Sequence, residues 1–508
     1  MMNQNIEKLI KLSGDSNCYQ YLSLILIFFL WANTYILSVT LPLLERPPLV
    51  TFNDTNITVP INYTICEWNN YTITEHFNYS WVSEFHIYCD KTKTGLLGSI
   101  SSFGFMSGSF LFSFVSKVVS HKTNIMISLS LFIVFIISMT LFKYYWSVLC
   151  FVVLGNLLAN FVNYSSMVIS IESASKEKRS IFAGFITIGF TFSAVIYVPL
   201  FLWLQKWEII FYIMCGFSFL IGVNVLIFLY NSPRKYFADK DSKNLVKVLR
   251  GIAKFNGRLE TFEEKMKTEE YEEIIKSLSE EKEEKKEEKE KITAIALFKY
   301  PSIRYKFLIF CFLFFVTSGI YNGISIGIKN LEGNIYINTT LLYLFEAISY
   351  IVSALLMNSK LGRKITIISM YSISAVCLIT NEIFQFKNPI ITLIINLIFR
   401  FFLSGAYTCY YTYTLENYPT PIRTLAFGLN SSCGNFGGLL IPMIIEWVKP
   451  RVMLVCYAGL CIIDAILVMF LKETVGLPME ETIEEIEKMK GNTLIPKGVD
   501  ISNGGETI

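Results

Sequence analysis

Three charged residues lie near the middle of long apolar runs: Glu346 in LYLFEAISY, Arg400 in LIFRFFL and Asp464 in CIIDAIL. A charge is expensive to keep in such surroundings, so each needs a partner or a task. Glu346 is suited to hold a cation or a proton if it faces a cavity; otherwise it is a polar contact between helices. Arg400 can pair with Glu346 or another carboxylate, or attract an anion. Asp464 reads as a structural polar contact. Two charged corners lie between apolar runs, ESASKEKR at 172–179 and ENYPTPIR at 416–423. Glu172 ends one run and Arg179 starts the next; Glu416 and Arg423 do the same. A carboxylate at a helix C-terminus opposes the helix dipole, so each glutamate needs a cation. The candidates are its own arginine, Lys117 and Lys122 near the first corner, or Arg363 and Lys364 near the second. Such charges suit a gate; the alternative is that they only orient the chain in a membrane.

The elements that carry these residues follow from composition. Of 508 residues 53% are hydrophobic, and the charges crowd into a few places, which sets the chain apart from ordinary soluble domains. Runs of about 20 apolar residues read as membrane-spanning helices. Twelve are present, at 21–43, 95–118, 124–142, 146–171, 181–203, 208–230, 306–328, 338–358, 365–386, 389–414, 424–446 and 451–471. The fold class expected is an all-α membrane protein. A net charge of +3 without a basic arm excludes a nucleic-acid partner. No metal-ligand spacing, no nucleophile–base set and no phosphate-cradling glycine loop appears, so neither metal, cofactor nor enzyme activity is expected.

Orientation follows from the loops. Those after the second, fourth, eighth and tenth spans hold nine Lys or Arg against six in the short odd loops, a bias that places the former in the cytosol. Segment 44–94 has glycosylation acceptors at Asn53, Asn56, Asn62, Asn70 and Asn78, which require the opposite face. Its only two cysteines, Cys66 and Cys89, are then expected to be bridged. The organisation expected is a cytosolic N-terminus at 1–20, a six-helix bundle at 21–230, a cytosolic linker at 231–305, a second bundle at 306–471 and a cytosolic tail at 472–508. The linker, with its EEKEEKKEEKEK run, reads as a solvated segment without chemistry of its own.

The two bundles repeat each other. SKVVSHK at 116–122 parallels NSKLGRK at 358–364, offset by 242 residues, and the Glu-x6-Arg corners are offset by 244. Parallel six-helix repeats related by an axis along the membrane normal are the plan of the major facilitator transporters.

Several stretches resemble one branch of that superfamily, the organic cation/anion/carnitine transporters of solute carrier family 22. ENYPTPIR is similar to its ELYPTxxR, and YTYTLENYPT to its YLYTAELYPT. NSPRKYF with LVKVLRGIAKFNGR resembles the stretch after its sixth helix, and GIYNGISIGIKNLEGNIYIN its seventh helix. LKETVGLPMEETIEEIE and SWVSEFHIYCD resemble its tail and the end of its external loop. The sequence departs from the pattern after the second helix, where Lys117 and Ser120 stand for an expected Asp and Gly. After the eighth, Ser359 replaces an Asp.

The resemblance implies alternating-access transport of a small organic solute, most simply an organic cation or zwitterion. An organic anion or sugar-like solute, or a receptor on the same scaffold, is the alternative. It implies substrate-binding roles for Tyr321 and Asn322 on the seventh helix, for Glu346 and Arg400, and for Asn435, where cation-carrying relatives have Asp and anion or carnitine carriers Arg. Asn163 and Met167 fall where such relatives have Trp and Tyr. The expected setting is the plasma membrane. The expected partners are the lipid bilayer, the solute and, for an energised cycle, a coupling ion, with the single chain as the working unit.

Overall fold

The computed structural model describes residues 2–14, 17–52, 55–61, 65–66, 71–174, 179–238, 240–284, 295–327, 334–384, 389–418, 420–445, 448 and 450–474. Within them lie twelve long helices in two sets of six. The first set is α1 (Cys18–Leu44, divided at Tyr35), α2 (Lys91–Val118), α3 (His121–Leu141), α4 (Tyr145–Ser173), α5 (Arg179–Leu204) and α6 (Trp207–Phe228). The second is α7 (Pro301–Gly327), α8 (Ile335–Met357), α9 (Gly362–Phe384), α10 (Pro389–Asn417), α11 (Thr420–Ile445) and α12 (Pro450–Met469). Eleven are long and apolar enough to cross a membrane by length and composition. The remaining one, α11, carries the polar stretch NSSCGN at 430–435, which dilutes its hydropathy. The outward faces keep large apolar side chains such as Phe219 and Leu226 exposed. Water would penalise such a surface, whereas lipid suits it.

Each set has its own apolar core, and the broadest junctions between the sets are α2 with α11 and α5 with α8. The first pair is close because Gly428 has no side chain: a Cβ there would run into the Ser113 hydroxyl and lie 3.1 Å from the Ser109 carbonyl oxygen. Small residues at a crossing let two backbones approach in this way.

Two regions outside the bundles are ordered. Strands β1 (Leu49–Phe52), β2 (Thr55–Pro60) and β3 (Tyr71–Glu75) form an antiparallel sheet in the order β2-β1-β3. Beside it Cys66 and Cys89 are bonded, with Cα atoms 5.8 Å apart. The N-terminal helix Met2–Gly14 packs on the segment between the bundles, which forms helices Pro233–Ala238, Ser242–Phe255, Leu259–Met266 and Glu269–Glu284. Ile6, Leu9 and Ile10 meet Leu245, Leu249, Phe262 and Ile274 in a small separate core. The segment that reads as a solvated linker is thus partly a folded layer. Leu245, Val248, Leu249 and Ile252 recur at helical spacing and are buried, which gives that helix an apolar stripe.

Candidate functional site

Between the two bundles lies a cavity of about 100 Å³. Helix α1 contributes Trp31 and Tyr35, α4 Asn160 and Tyr164, α7 Tyr321 and Asn322, α10 Tyr407 and Tyr411, and α11 Asn435. The residues along it are aromatic, amide or hydroxyl-bearing, and none carries a formal charge. Organic-ligand sites usually span about 300–1,000 Å³, so this space is smaller than such a site.

Its aromatic lining is continuous. Tyr407 and Tyr411, one helical turn apart on α10, have ring centroids 4.9 Å apart and hydroxyls at 3.0 Å. Tyr321 lies 5.7 Å from Tyr407 and 6.3 Å from Phe190, and Tyr35 stacks on Phe105 at 5.5 Å. On the α2–α11 side a polar cluster crosses from one bundle to the other. Asn435 donates to the Ser109 hydroxyl at 3.0 Å, Asn160 donates to the same oxygen at 2.7 Å, and Tyr164 bonds Ser431. Asn435 therefore both lines the cavity and ties the bundles together.

Glu346 and Arg400 are fully buried and bound to each other. The Arg400 Nε donates to the Glu346 Oε2 at 3.0 Å, and its Nη1 donates to the Tyr321 carbonyl and the Ser325 hydroxyl, both at 3.0 Å. The guanidinium stacks 3.4 Å from the centre of the Tyr321 ring. On its other side Glu346 accepts from the hydroxyls of Tyr321, at 2.9 Å, and Tyr350. Tyr321 and Tyr350 line the cavity, whereas Glu346 and Arg400 do not. The pair forms a neutral layer behind the tyrosines, and its guanidinium already covers one face of Tyr321. Breaking such a pair strands a buried charge, at a cost of about 3–5 kcal/mol.

The other sequence candidates are scattered. Asn163 accepts from Thr34 at 2.7 Å and Met167 sits in the first core, both away from the cavity lining. Asp464 is fully buried, and neither carboxylate oxygen has a hydrogen-bond partner among the described residues. Sequence reasoning did not single out Trp31, Tyr35, Tyr164, Tyr407 or Tyr411. The signal for the last two is their four-residue spacing in YTCYY, which puts both on one helix face.

At the second corner Arg363 grips Glu416 through Nε and Nη2, both at 2.9 Å, and the Thr474 hydroxyl donates to Glu416 at 2.6 Å. Glu473 accepts from the backbone N–H groups of Arg363, at 3.0 Å, and Lys364, at 2.9 Å, so a carboxylate caps the start of α9. At the first corner the Oε2 of Glu172 is buried without a hydrogen-bond partner among the described residues. Arg423 does not bond Glu416. Its Nε donates to the Tyr418 carbonyl at 3.2 Å, and the Glu172 carboxylate of the other bundle lies near enough to favour its charge. Lys122 donates through Nζ to the Leu226 carbonyl at 2.8 Å. Pro419 and Lys176 lie outside the described residues, as do Asn53, Asn62 and Asn70. Among the remaining acceptor asparagines, Asn56 lies in β2 and Asn78 is exposed.

At the opposite end the segment before α2 reaches across to α8. Arg46 lies 3.8 Å over the Phe77 ring and donates to the Tyr79 hydroxyl at 2.7 Å, and the Tyr336 hydroxyl bonds Tyr79 at 2.7 Å.

The family model described as Major Facilitator Superfamily matches residues 23–442. Solute carrier family 22 member 21 of Mus musculus is 26% identical over 422 residues, covering 80% of this chain and 72% of that protein. Organic cation/carnitine transporter 2 of Rattus norvegicus is 26% identical over 436 residues, covering 81% and 72%. Among solved structures, the proton:xylose symporter XylE superposes with a TM-score of 0.64 at 15% identity, over 93% of this chain and 98% of that one. These matched proteins are membrane transporters, not enzymes.

Proposed function

The chain belongs to the Major Facilitator Superfamily, and on that footing we propose that this transporter moves a small organic cation or zwitterion by alternating access. The observation that carries the reading is the lining of the cavity between the bundles. An organic ammonium there meets the rings of Trp31, Tyr35, Tyr407 and Tyr411, and a cation over a ring face gains about 0.5–2 kcal/mol according to how dry the contact is. An anion meets no free cation, because Arg400 lies behind Tyr321 and is neutralised by Glu346. A neutral polyhydroxylated solute is the second reading. It is favoured by the uncharged Asn160, Asn322 and Asn435 on the same wall.

In this reading the α2–α11 and α5–α8 contacts are the surfaces that rock as the cavity opens to either side. Glu172 and Arg423 part when the bundles separate at their end of the molecule, while Glu416 and Arg363 move together within one bundle. Both termini and the linker face the cytosol, and segment 44–94 faces outward from the plasma membrane, glycosylated at sites that include Asn78. A single chain suffices, since one chain supplies every wall of the cavity.

The test is uptake into proteoliposomes of a labelled quaternary ammonium, an arylsulfonate and a hexose, with and without a pH gradient. The expected outcome is ammonium uptake that exceeds the other two. Hexose uptake alone would favour the second reading, and uptake of none would favour a receptor. Removal of glycans in a eukaryotic host should increase gel mobility if segment 44–94 faces outward.

A further inference from the structure

The helical layer between the bundles holds a second concavity, remote from the transport cavity and with the opposite chemistry. It measures about 400 Å³ and is lined by Lys8, Lys11 and Leu12 of the N-terminal helix, Arg258, Thr261 and Lys265 at helix Leu259–Met266, and Tyr271. Lys8 and Lys11 are three residues apart, so both lie on one face of their helix. Arg258, Thr261 and Lys265 are spaced by three and four and also share a face. The glutamates of that second helix do not line the groove, and Glu263 is held by Arg250 at 2.5 Å. Of the four cations only Lys8 has an acidic partner among the described residues, Glu270 at 2.5 Å. Lys11, Arg258 and Lys265 are left facing the groove.

Two helices far apart in sequence thus bring four cations to one groove, which also offers a hydroxyl and a phenol. Repulsion among like charges opposes this arrangement unless an anion neutralises them. Lysine supplies a point charge for phosphate and arginine a planar fork that binds it in two places. We propose that the groove is a binding site for a polyanion bearing several phosphates, either a phosphorylated inositol lipid headgroup or a soluble polyphosphate. Lys11 stands seven residues before the start of α1 at Cys18, within reach of a headgroup at the membrane surface. Occupancy would clamp the N-terminal helix to the linker helices, and through it the first bundle to the connection with the second.

The experiment uses the full chain, in detergent with inositol hexakisphosphate and in phosphatidylcholine nanodiscs with or without phosphatidylinositol bisphosphate. A triple variant, Lys11→Gln with Arg258→Gln and Lys265→Gln, is compared with a charge-matched control, Lys243→Gln with Lys247→Gln and Lys254→Gln. All six side chains are exposed, so both variants should keep the native melting temperature without ligand. The groove variant is expected to lose affinity by about tenfold or more and the control by less than about threefold. Binding of the soluble polyphosphate would assign the groove to a free anion, and binding only to discs with the phosphorylated lipid would assign it to a headgroup; either supports the site. Equal loss in both variants, or no binding of either probe to the native chain, would overturn it.

Discussion

Glu416 receives two guanidinium hydrogen bonds and a hydroxyl, while Glu172, its counterpart in the first bundle, keeps a buried carboxylate oxygen without a partner among the described residues. The repeat explains the difference residue by residue. His121 stands where the second bundle has Arg363, and Asn231 where it has Glu473, each pair 242 positions apart. The backbone plan survives this exchange. Asn231 still accepts from the Lys122 N–H at 3.0 Å, as Glu473 does from the Lys364 N–H at 2.9 Å. The first corner lacks those two charges: its histidine leaves Nδ1 without a partner among the described residues, and an amide replaces the carboxylate, while Arg234 donates to the Glu172 carbonyl at 3.0 Å. One corner is locked within its own bundle. The other leaves Glu172 close enough to Arg423 across the interface to favour its charge, with no ion pair between them. A repeat that keeps its backbone plan can thus be locked in one copy and left open in the other.

The largest expected effect comes from breaking the locked corner. The Glu416 and Arg363 side chains are only 13% and 12% exposed, so Glu416→Gln should cost about 2–3 kcal/mol of stability. Glu172→Gln should cost less than about 0.5 kcal/mol. Thermal unfolding of the two purified variants side by side measures the gap, and equal losses would erase the contrast. The next effect concerns the backbone. Gly362 has φ of +77°, and a Cβ there would lie 2.7 Å from the Glu473 carboxylate. Gly362→Ala should therefore cost about 1–2 kcal/mol, and more if Glu473 is displaced from its cap. At the equivalent position Ser120 accepts from the Thr123 N–H at 3.3 Å, and Ser120→Ala should cost about 1 kcal/mol as a lost cap.

A smaller effect should come from making the corners alike. His121→Arg with Asn231→Glu installs the charges of the second corner in the first and should stabilise the chain by about 0.5–1.5 kcal/mol. By holding Glu172 within its own bundle it should also weaken the attraction to Arg423. A transport rate unchanged in this double variant, together with an unchanged rate in Arg423→Ala, would remove the cross-interface role.

The twelve helices were legible because apolar runs of membrane length leave little else to form, and even α11 was marked by its flanks despite NSSCGN. Glu346 and Arg400 were legible as costly charges in need of a partner. That the Tyr321 ring lies under the Arg400 guanidinium was not, since it depends on how three helices meet. The aromatic wall was hidden for another reason: Tyr407 and Tyr411 follow the same helical spacing as ordinary packing residues. In the linker, the Glu and Lys content obscured the buried stripe of Leu245, Val248, Leu249 and Ile252. The sheet of β1, β2 and β3 carries threonines and asparagines that read equally well as loop. Asn435 drew notice for its missing charge, but its reach to Ser109 in the other bundle needs the two halves in place.

Asn435 gives the most direct test of the claim that the solute passes through the aromatic cavity, because it lines that cavity and has no charge to lose. The measurement is the ratio of initial uptake rates for a quaternary ammonium and an arylsulfonate in proteoliposomes, parent against Asn435→Asp. A carboxylate about 4 Å from a cationic head contributes about 4 kcal/mol before desolvation at an effective dielectric near 20. The ratio is expected to rise by about tenfold or more, once desolvation has taken its share. A ratio equal to the parent's, in a variant that is still inserted and active, would place the solute path elsewhere and contradict the account.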